Sequence, residues 1–126
     1  MRQLVLLLVL FPTSATAATL QVGPTRTYTT ISDAIDDSAI GDVIEVDAGT
    51  YAEEVEIIGT DLTLTAVDGS AQTIIDAADT ALTIENSKAT ISGFTLWSQD
   101  ERGFDIDGSE VTLTDMIVED LSLIHI

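Results

Sequence analysis

The chain has 126 residues, a formal net charge of -18 from 22 acidic residues against 4 basic ones, and no cysteine. This length suits one domain, and the shortage of cations argues against binding to nucleic acid or to an anionic membrane surface. Without cysteine there are no disulfides and no thiolate metal sites. A solvated acidic coat is the favoured interpretation of the charge, and cation binding is the alternative.

The N-terminus has the pattern of a secretory signal peptide. A basic start at Arg2 is followed by an unbroken apolar run over residues 4–11 and by small residues at positions 15–17. The run is too short to span the ~30 Å of a hydrocarbon core. We therefore predict a signal peptide over residues 1–17, cut after Ala17 or Ala18. The mature protein is expected to be secreted, at the cell surface or in the periplasm, without a membrane span.

Residues 18–42 are predicted to form an N-terminal cap made of a short strand and a helix. Thr30 is the predicted N-cap, and Asp33, three residues later, completes a capping box. From Ile31 onwards, apolar residues recur at i, i+3 and i+4, as on one face of a helix. Because the first coil of a solenoid has an open apolar end, we expect this helix to serve as its lid.

Residues 43–120 are predicted to form the coils of a solenoid. Residues 82–94 lie over residues 104–116 without a gap, a step of 22 residues, and residues 55–67 match the same pattern 27 residues earlier. The sequence therefore translates onto itself instead of mirroring about a turn, which predicts stacked parallel strands rather than hairpins. Further strands are predicted over 43–46, 53–58, 62–66 and 73–76, with turns over 47–51 and 67–70.

This register predicts columns of like side chains. The inward columns are Val55/Leu82/Phe104, Ile57/Ile84/Ile106 and Leu64/Ile91/Leu113, and the outward ones are Thr63/Thr90/Thr112, Thr60/Ser87/Ser109 and the charged Asp61/Lys88/Glu110. Asn86 falls on Gly59 and Gly108, which indicates a left-handed backbone at that corner.

Residues Thr27–Ile57 (TYTTISDAIDDSAIGDVIEVDAGTYAEEVEI) resemble the opening segment of secreted right-handed parallel β-helix repeat proteins of the pectin-lyase-like superfamily. That superfamily includes pectinesterases, pectate-lyase-like proteins and bacterial β-helix surface proteins. Residues Ala89–Leu96 (ATISGFTL) resemble a generic coil of the same group. The resemblance implies an all-β fold, a single-stranded right-handed parallel β-helix with a short N-terminal capping α-helix. It says less about activity, because catalytic and non-catalytic members share this opening.

No catalytic constellation stands out in the sequence. Pectinesterases are implied to use carboxylates, glutamines and an arginine on later coils, and pectate lyases an acidic calcium cluster with a basic residue; neither motif is matched. We therefore expect a non-catalytic part of a secreted or cell-surface β-helix protein that binds polysaccharide or a surface protein. One alternative is the N-terminal part of a polysaccharide lyase or carbohydrate esterase with later catalytic coils. Another is a periplasmic metal-handling protein, against which the lack of cysteine and the single histidine argue.

Two candidate sites are predicted from the residues. Trp97 is placed in an outward column with Ser70 and Glu119, where it can stack on a sugar ring, although packing against the loop after it is the favoured alternative. Glu85, Asp105 and Asp107, with Asp100 and Glu101 nearby, can converge to hold calcium, which prefers oxygen ligands. A solvated acidic face is the favoured alternative there. No other cofactor is expected.

The last six residues, 121–126 (LSLIHI), resemble the translation of a transposon-end sequencing adaptor. This resemblance predicts a non-native tail on a truncated coding sequence. The last coil would then present an uncovered apolar edge, which predicts end-to-end self-association.

Overall fold

The computed structural model describes residues 17–99, 102–119 and 123–125, except for the side chains of Arg102 and of residues 123–125. Within these residues the chain forms thirteen β-strands and one short α-helix, α1 (Ile31–Asp37), which lies between the first two strands. The strands are β1 (Thr19–Val22), β2 (Asp42–Val46), β3 (Gly49–Tyr51), β4 (Val55–Ile58), β5 (Asp61–Ala66), β6 (Thr73–Ala77), β7 (Thr80–Glu85), β8 (Lys88–Ser92), β9 (Thr95–Ser98), β10 (Arg102–Asp107), β11 (Glu110–Thr114), β12 (Ile117–Glu119) and β13 (Leu123–His125).

The strands form three parallel sheets that run side by side along the molecule. The first sheet has the order β1-β2-β5-β8-β11, the second β3-β6-β9-β12 and the third β4-β7-β10-β13. Each coil gives one strand to each sheet in turn, so the chain winds about four times round one axis. The fold is a parallel β-helix with a single short helix at its N-terminal end, as predicted.

The predicted register is confirmed along the interior. Ile84 pairs with Ile57 in the preceding coil and with Ile106 in the following one, and all three side chains are at most 9% exposed. On the first sheet, Ile91 likewise pairs with Leu64 and Leu113. Like side chains therefore stack on like along the axis, and the core is one continuous cluster that fills the coils.

The corner between the third and first sheets has the predicted left-handed backbone. The φ angles are 65° at Gly59, 49° at Asn86 and 59° at Gly108. These residue types adopt positive φ at the least steric cost, which explains why they recur at one place in successive coils. Beside them, the Ser87 hydroxyl accepts the Thr60 N–H at 3.1 Å and the Ser109 hydroxyl accepts the Ser87 N–H at 3.1 Å. The hydroxyl column thus satisfies backbone donors where the strands break.

The cap helix begins at the predicted residue. Thr30 is the N-cap, and its hydroxyl accepts the Asp33 N–H at 3.2 Å. The apolar face of α1 is buried in the core through Ile31, Ala34 and Ile35. The helix therefore covers the N-terminal end of the solenoid, as a lid should.

One predicted turn contains a strand, and two predicted segments lie largely outside the described residues. Residues 47–51, predicted as a turn, contain the short strand β3, because Gly49, Thr50 and Tyr51 pair with β6 of the next coil. The predicted signal peptide lies outside the described residues except for Ala17. The predicted tail also lies outside them, except for the backbone of β13, which pairs with β10 in an irregular register. Across the described ranges, no helix has the length and apolar character that crossing a bilayer requires.

Candidate ligand-binding face

The outer surface of the second sheet, which we call the second-sheet face, carries the predicted tryptophan. Side chains alternate between the two sides of a strand, so every second residue of β3, β6, β9 and β12 points outward. Two outward columns result from the register, Thr50/Ile74/Thr95/Ile117 and Asp76/Trp97/Glu119. The residues between them, Tyr51, Ile75 and Leu96, are buried.

Trp97 is 38% exposed and lies between two carboxylates in its column. Its register partners are Asp76 in the preceding coil and Glu119 in the following one. The prediction that Ser70 shares the column of Trp97 is therefore wrong. Ser70 is buried in the connection between β5 and β6, where its hydroxyl donates to Asp115 Oδ1 at 3.2 Å.

The connection from β5 to β6 covers one side of the face. It runs over residues 67–72, and its Ser70 carbonyl accepts the Thr95 hydroxyl at 2.6 Å. Thr95 is only 6% exposed as a result. The connection therefore covers the Thr95 position of the first column, whereas Ile117 at 39% and Trp97 at 38% exposure stay open to solvent.

A groove lies beside this column, at the corner that leads to the third sheet. It has a volume of about 320 Å³ and is lined by Ala52, Glu53, Glu54, Asp76, Ala78 and Gln99. The Gln99 side-chain amide donates to Asp76 Oδ1 at 3.4 Å, and its backbone N–H donates to the Ala77 carbonyl at 3.0 Å. Asp76 belongs to both the groove and the Trp97 column, so an aromatic ring, carboxylates and an amide lie close together there. The volume is at the low end of the range for small-ligand sites.

The described charged side chains on the strands of the second-sheet face are all acidic. None of the described side chains on β3, β6, β9 or β12 is cationic. Arg26 and Lys88 lie elsewhere and are paired, with Asp47 at 2.7 Å and with Glu110 at 3.3 Å. A polyanion would therefore meet like charge at this face, whereas a neutral or cationic ligand would not.

Both tyrosines have structural partners. The Tyr51 hydroxyl donates to the Asp47 carbonyl at 2.7 Å, and burial raises the pKa of this phenol. The Tyr28 hydroxyl donates to Asp37 at 3.0 Å, a hydrogen bond that raises the pKa of Tyr28. Neither side chain belongs to the Trp97 column of the second-sheet face.

The candidate calcium ligands lie on the third sheet. Glu85 and Asp107 are register partners on β7 and β10, as predicted, while Asp105 pairs with Thr83. No group of three or more His, Cys, Asp or Glu side chains within the described ranges is arranged to hold a metal ion. Asp100 and Glu101, the other members of the predicted cluster, lie outside those ranges. The calcium site stays a prediction.

The class of protein is defined by the fold, a parallel β-helix closed at one end by a short helix. Comparison with protein-family models, with curated proteins and with solved structures finds no significant match for this chain. The second-sheet face and the sequence are therefore the basis on which a function can be proposed.

Proposed function

We propose that this chain is a non-catalytic module of an extracellular β-helix protein of the pectin-lyase-like superfamily, and that it binds neutral polysaccharide through the second-sheet face. One observation carries the proposal: Trp97, at 38% exposure, stands between its register partners Asp76 and Glu119 on a parallel sheet. Large exposed aromatic side chains are characteristic of interaction surfaces.

The chemistry of the face suits a sugar chain. The indole ring offers an apolar platform for the C–H face of a pyranose, and the flanking carboxylates accept hydrogen bonds from its hydroxyl groups. The groove with Asp76 and Gln99 adds an acceptor and a donor at one end of the platform. A polyuronate is a poor candidate, because its carboxylates would face a protein of net charge -18.

The extracellular assignment is supported by the sequence. Arg2 followed by the apolar run over residues 4–11 matches a secretory signal, and Thr27–Ile57 resembles secreted β-helix proteins. The parallel β-helix and its cap helix agree with that resemblance in architecture.

Tryptophan fluorescence tests the proposal directly, because Trp97 is the only tryptophan of the sequence. Neutral oligosaccharides such as cello- and xylo-oligomers are expected to shift its emission on titration, whereas oligogalacturonate of equal length is not. Trp97→Phe should weaken retention on the insoluble parent polysaccharide, and Trp97→Ala should abolish it. Glu110→Gln, which removes an acid from the first sheet, is the control and should bind normally.

Two results would overturn the proposal. The first is retention of Trp97→Ala on the polysaccharide at the level of the parent protein, with both folded by circular dichroism. The second is release of new reducing ends from pectin by the purified chain, which would show an enzyme rather than a binding module.

We also propose that copies of this chain associate through the end opposite the cap. Phe104, Ile106, Ser109, Val111 and Leu113 line a mainly apolar hollow of about 290 Å³ in the last described coils. Because water contact with this hollow is unfavourable, the apparent mass in light scattering should rise with concentration. Leu113→Gln should reduce that rise, and a monomer at all concentrations for the parent chain would contradict the proposal.

A further inference from the structure

Asp42 is a buried carboxylate that ties the start of the described chain to the first coil. It is 6% exposed, at the first position of β2. Its Oδ1 accepts the Ala18 backbone N–H at 2.8 Å, and its Oδ2 accepts the Ala39 N–H at 2.8 Å. The Ala18 carbonyl in turn accepts the Val43 N–H at 2.9 Å. The backbone nitrogen of Ala18, a residue that is itself exposed, is thus held by the carboxylate of a buried residue.

The sequence leaves two positions for the signal-peptide cut, after Ala17 or after Ala18. A cut after Ala18 would remove the donor to Asp42 Oδ1, and a buried acceptor that loses its donor is costly. A cut after Ala17 keeps the same nitrogen in place and converts it from an amide into an α-amino group. The pattern of small residues allows both cleavage positions. The contact of Ala18 with Asp42 favours the cut after Ala17.

We propose that the precursor is cleaved between Ala17 and Ala18, and that the new α-ammonium group of Ala18 forms an ion pair with Asp42. The step is a hydrolysis by a signal peptidase: water adds, the Ala17–Ala18 peptide bond breaks, and Ala17 leaves with a carboxylate. The amino group of Ala18 takes up a proton. The proposal rests on the predicted signal peptide and is independent of what the second-sheet face binds.

The ion pair would lock β1 onto the coils. β1 pairs only with β2 among the described strands, so its attachment depends on that one partner and on the residues before it. A hydrogen bond between two charged groups is stronger than one from a neutral amide. Removal of the signal peptide would therefore strengthen the N-terminal edge of the fold at the moment the mature chain is released.

The pair also predicts the direction of a pH effect. An α-amino group ordinarily has a pKa of about 7.7–8.0, and an adjacent carboxylate raises it. The stabilisation is then present below that range and is lost as the pH rises through the raised value. Charged groups on the surrounding elements have partners of their own. Glu45 accepts Gln21 on the β1–β2 pair, Asp47 pairs with Arg26, and Asp37 on α1 accepts Tyr28. On β5, the Asp61 carboxylate accepts the Lys88 N–H at 3.1 Å.

The first measurement is the N-terminus of the processed protein. The chain of residues 1–126 is expressed in a host with a general secretory pathway, and the exported product is examined by N-terminal sequencing and intact mass. We expect Ala18 as the first residue. A product that starts at Thr19, or one that retains Met1, overturns the proposal.

The second measurement is the titration of the α-amino group in that product. Lys88 is the only lysine, so ¹³C-dimethylation labels two amines, which NMR resolves. The α-amine of the parent should titrate at least about one pH unit above the ordinary range. Asp42→Asn should return it to that range, while the control Glu110→Gln should affect only Lys88, its partner at 3.3 Å.

An α-amine of the parent that titrates in the ordinary range overturns the ion pair, even with Ala18 as the first residue. This outcome needs only the parent protein, so it holds if Asp42→Asn does not fold. Polysaccharide binding by the second-sheet face would be unaffected by either outcome.

Discussion

The carboxylate of Glu53 accepts the backbone N–H of Ile31 at 2.9 Å, from 22 residues further along the chain. Its other oxygen accepts the Ser32 N–H at 2.9 Å and the Ser32 hydroxyl at 2.6 Å. The first turn of a helix leaves its N–H groups without intrahelical partners, and an acid is favoured at that end. Glu53 therefore caps α1 from the first coil and ties the lid to the solenoid.

Glu53→Ala should loosen the lid and lower the free energy of unfolding by about 2 kcal/mol, since hydrogen bonds to a charged group contribute about 1.5–3 kcal/mol. Urea denaturation followed by circular dichroism measures the change. Glu54→Ala is the matched control: Glu54 is adjacent and exposed, and its loss should change stability by less than about 0.5 kcal/mol. Equal effects of the two substitutions would show that Glu53 does not hold the lid.

Gly93→Ala should be among the most damaging single substitutions in the coils. The φ angle of Gly93 is +83°, and a Cβ there would lie 2.8 Å from the Ala66 carbonyl oxygen, a backbone atom that cannot move away cheaply. Strain and clash together should lower stability by about 3 kcal/mol or more.

Gly59→Asn is the control for the Gly93 prediction. Gly59 also has a positive φ, +65°, but no atom lies within 4 Å of its added Cβ, and Asn86 occupies the equivalent place one coil later. The loss should stay below about 1 kcal/mol in thermal or urea unfolding. A Gly59→Asn variant as unstable as Gly93→Ala would contradict this contrast between the two positions.

The stacked register could be predicted from the sequence because the repeat is free of gaps where strands follow one another closely. Ile84 and Ile106, or Asp61 and Lys88, are paired by the same translation that aligns the whole segments. The left-handed corner could also be predicted from the repeat, because few residue types tolerate the positive φ of Asn86 and those types recur at its aligned positions.

The partner of Trp97 could not be predicted from that translation. The connection from β5 to β6 runs over residues 67–72, whereas that from β8 to β9 has only residues 93–94. A step of 27 residues therefore gives the correct register partners for residues before this connection. For residues after it the step is too long, so it wrongly assigns Ser70 as the partner of Trp97. The cap contact of Glu53 was missed for another reason: it depends on where a side chain reaches in space, and no local pattern marks it.

Asp42→Asn should alter the response of the protein to acid. The backbone N–H groups of Ala39 and Ala18 lower the pKa of Asp42 in the folded state. A carboxylate with a lowered pKa contributes stability above its unfolded value of about 3.9, and that contribution is lost as the pH falls through the folded value. Melting temperatures from pH 7 to pH 2 should show Asp42→Asn less stable than the parent at pH 7, with the two converging in acid. Parallel curves would contradict the prediction.

Calcium binding is tested by the pair Glu85 and Asp107. Like charges placed opposite each other in a ladder are destabilising, and a bound cation would relieve their repulsion. If these carboxylates hold calcium, calorimetry with Ca²⁺ gives heat with the parent chain and none with Asp107→Asn. Without calcium, Asp107→Asn should be the more stable protein by about 0.2–1 kcal/mol. No heat with the parent would mean that this is a solvated acidic face.

The stacking of one coil on the next is tested most directly by NMR on methyl-labelled protein. Ile57, Ile84 and Ile106 form one buried column of register partners. Methyl–methyl NOEs should therefore connect Ile84 to both of the other two residues, with the amide-to-Hα NOEs of parallel strands between their segments. Absence of those methyl contacts, or close Hα–Hα NOEs of antiparallel pairing between the same segments, would contradict the fold and every proposal built on it.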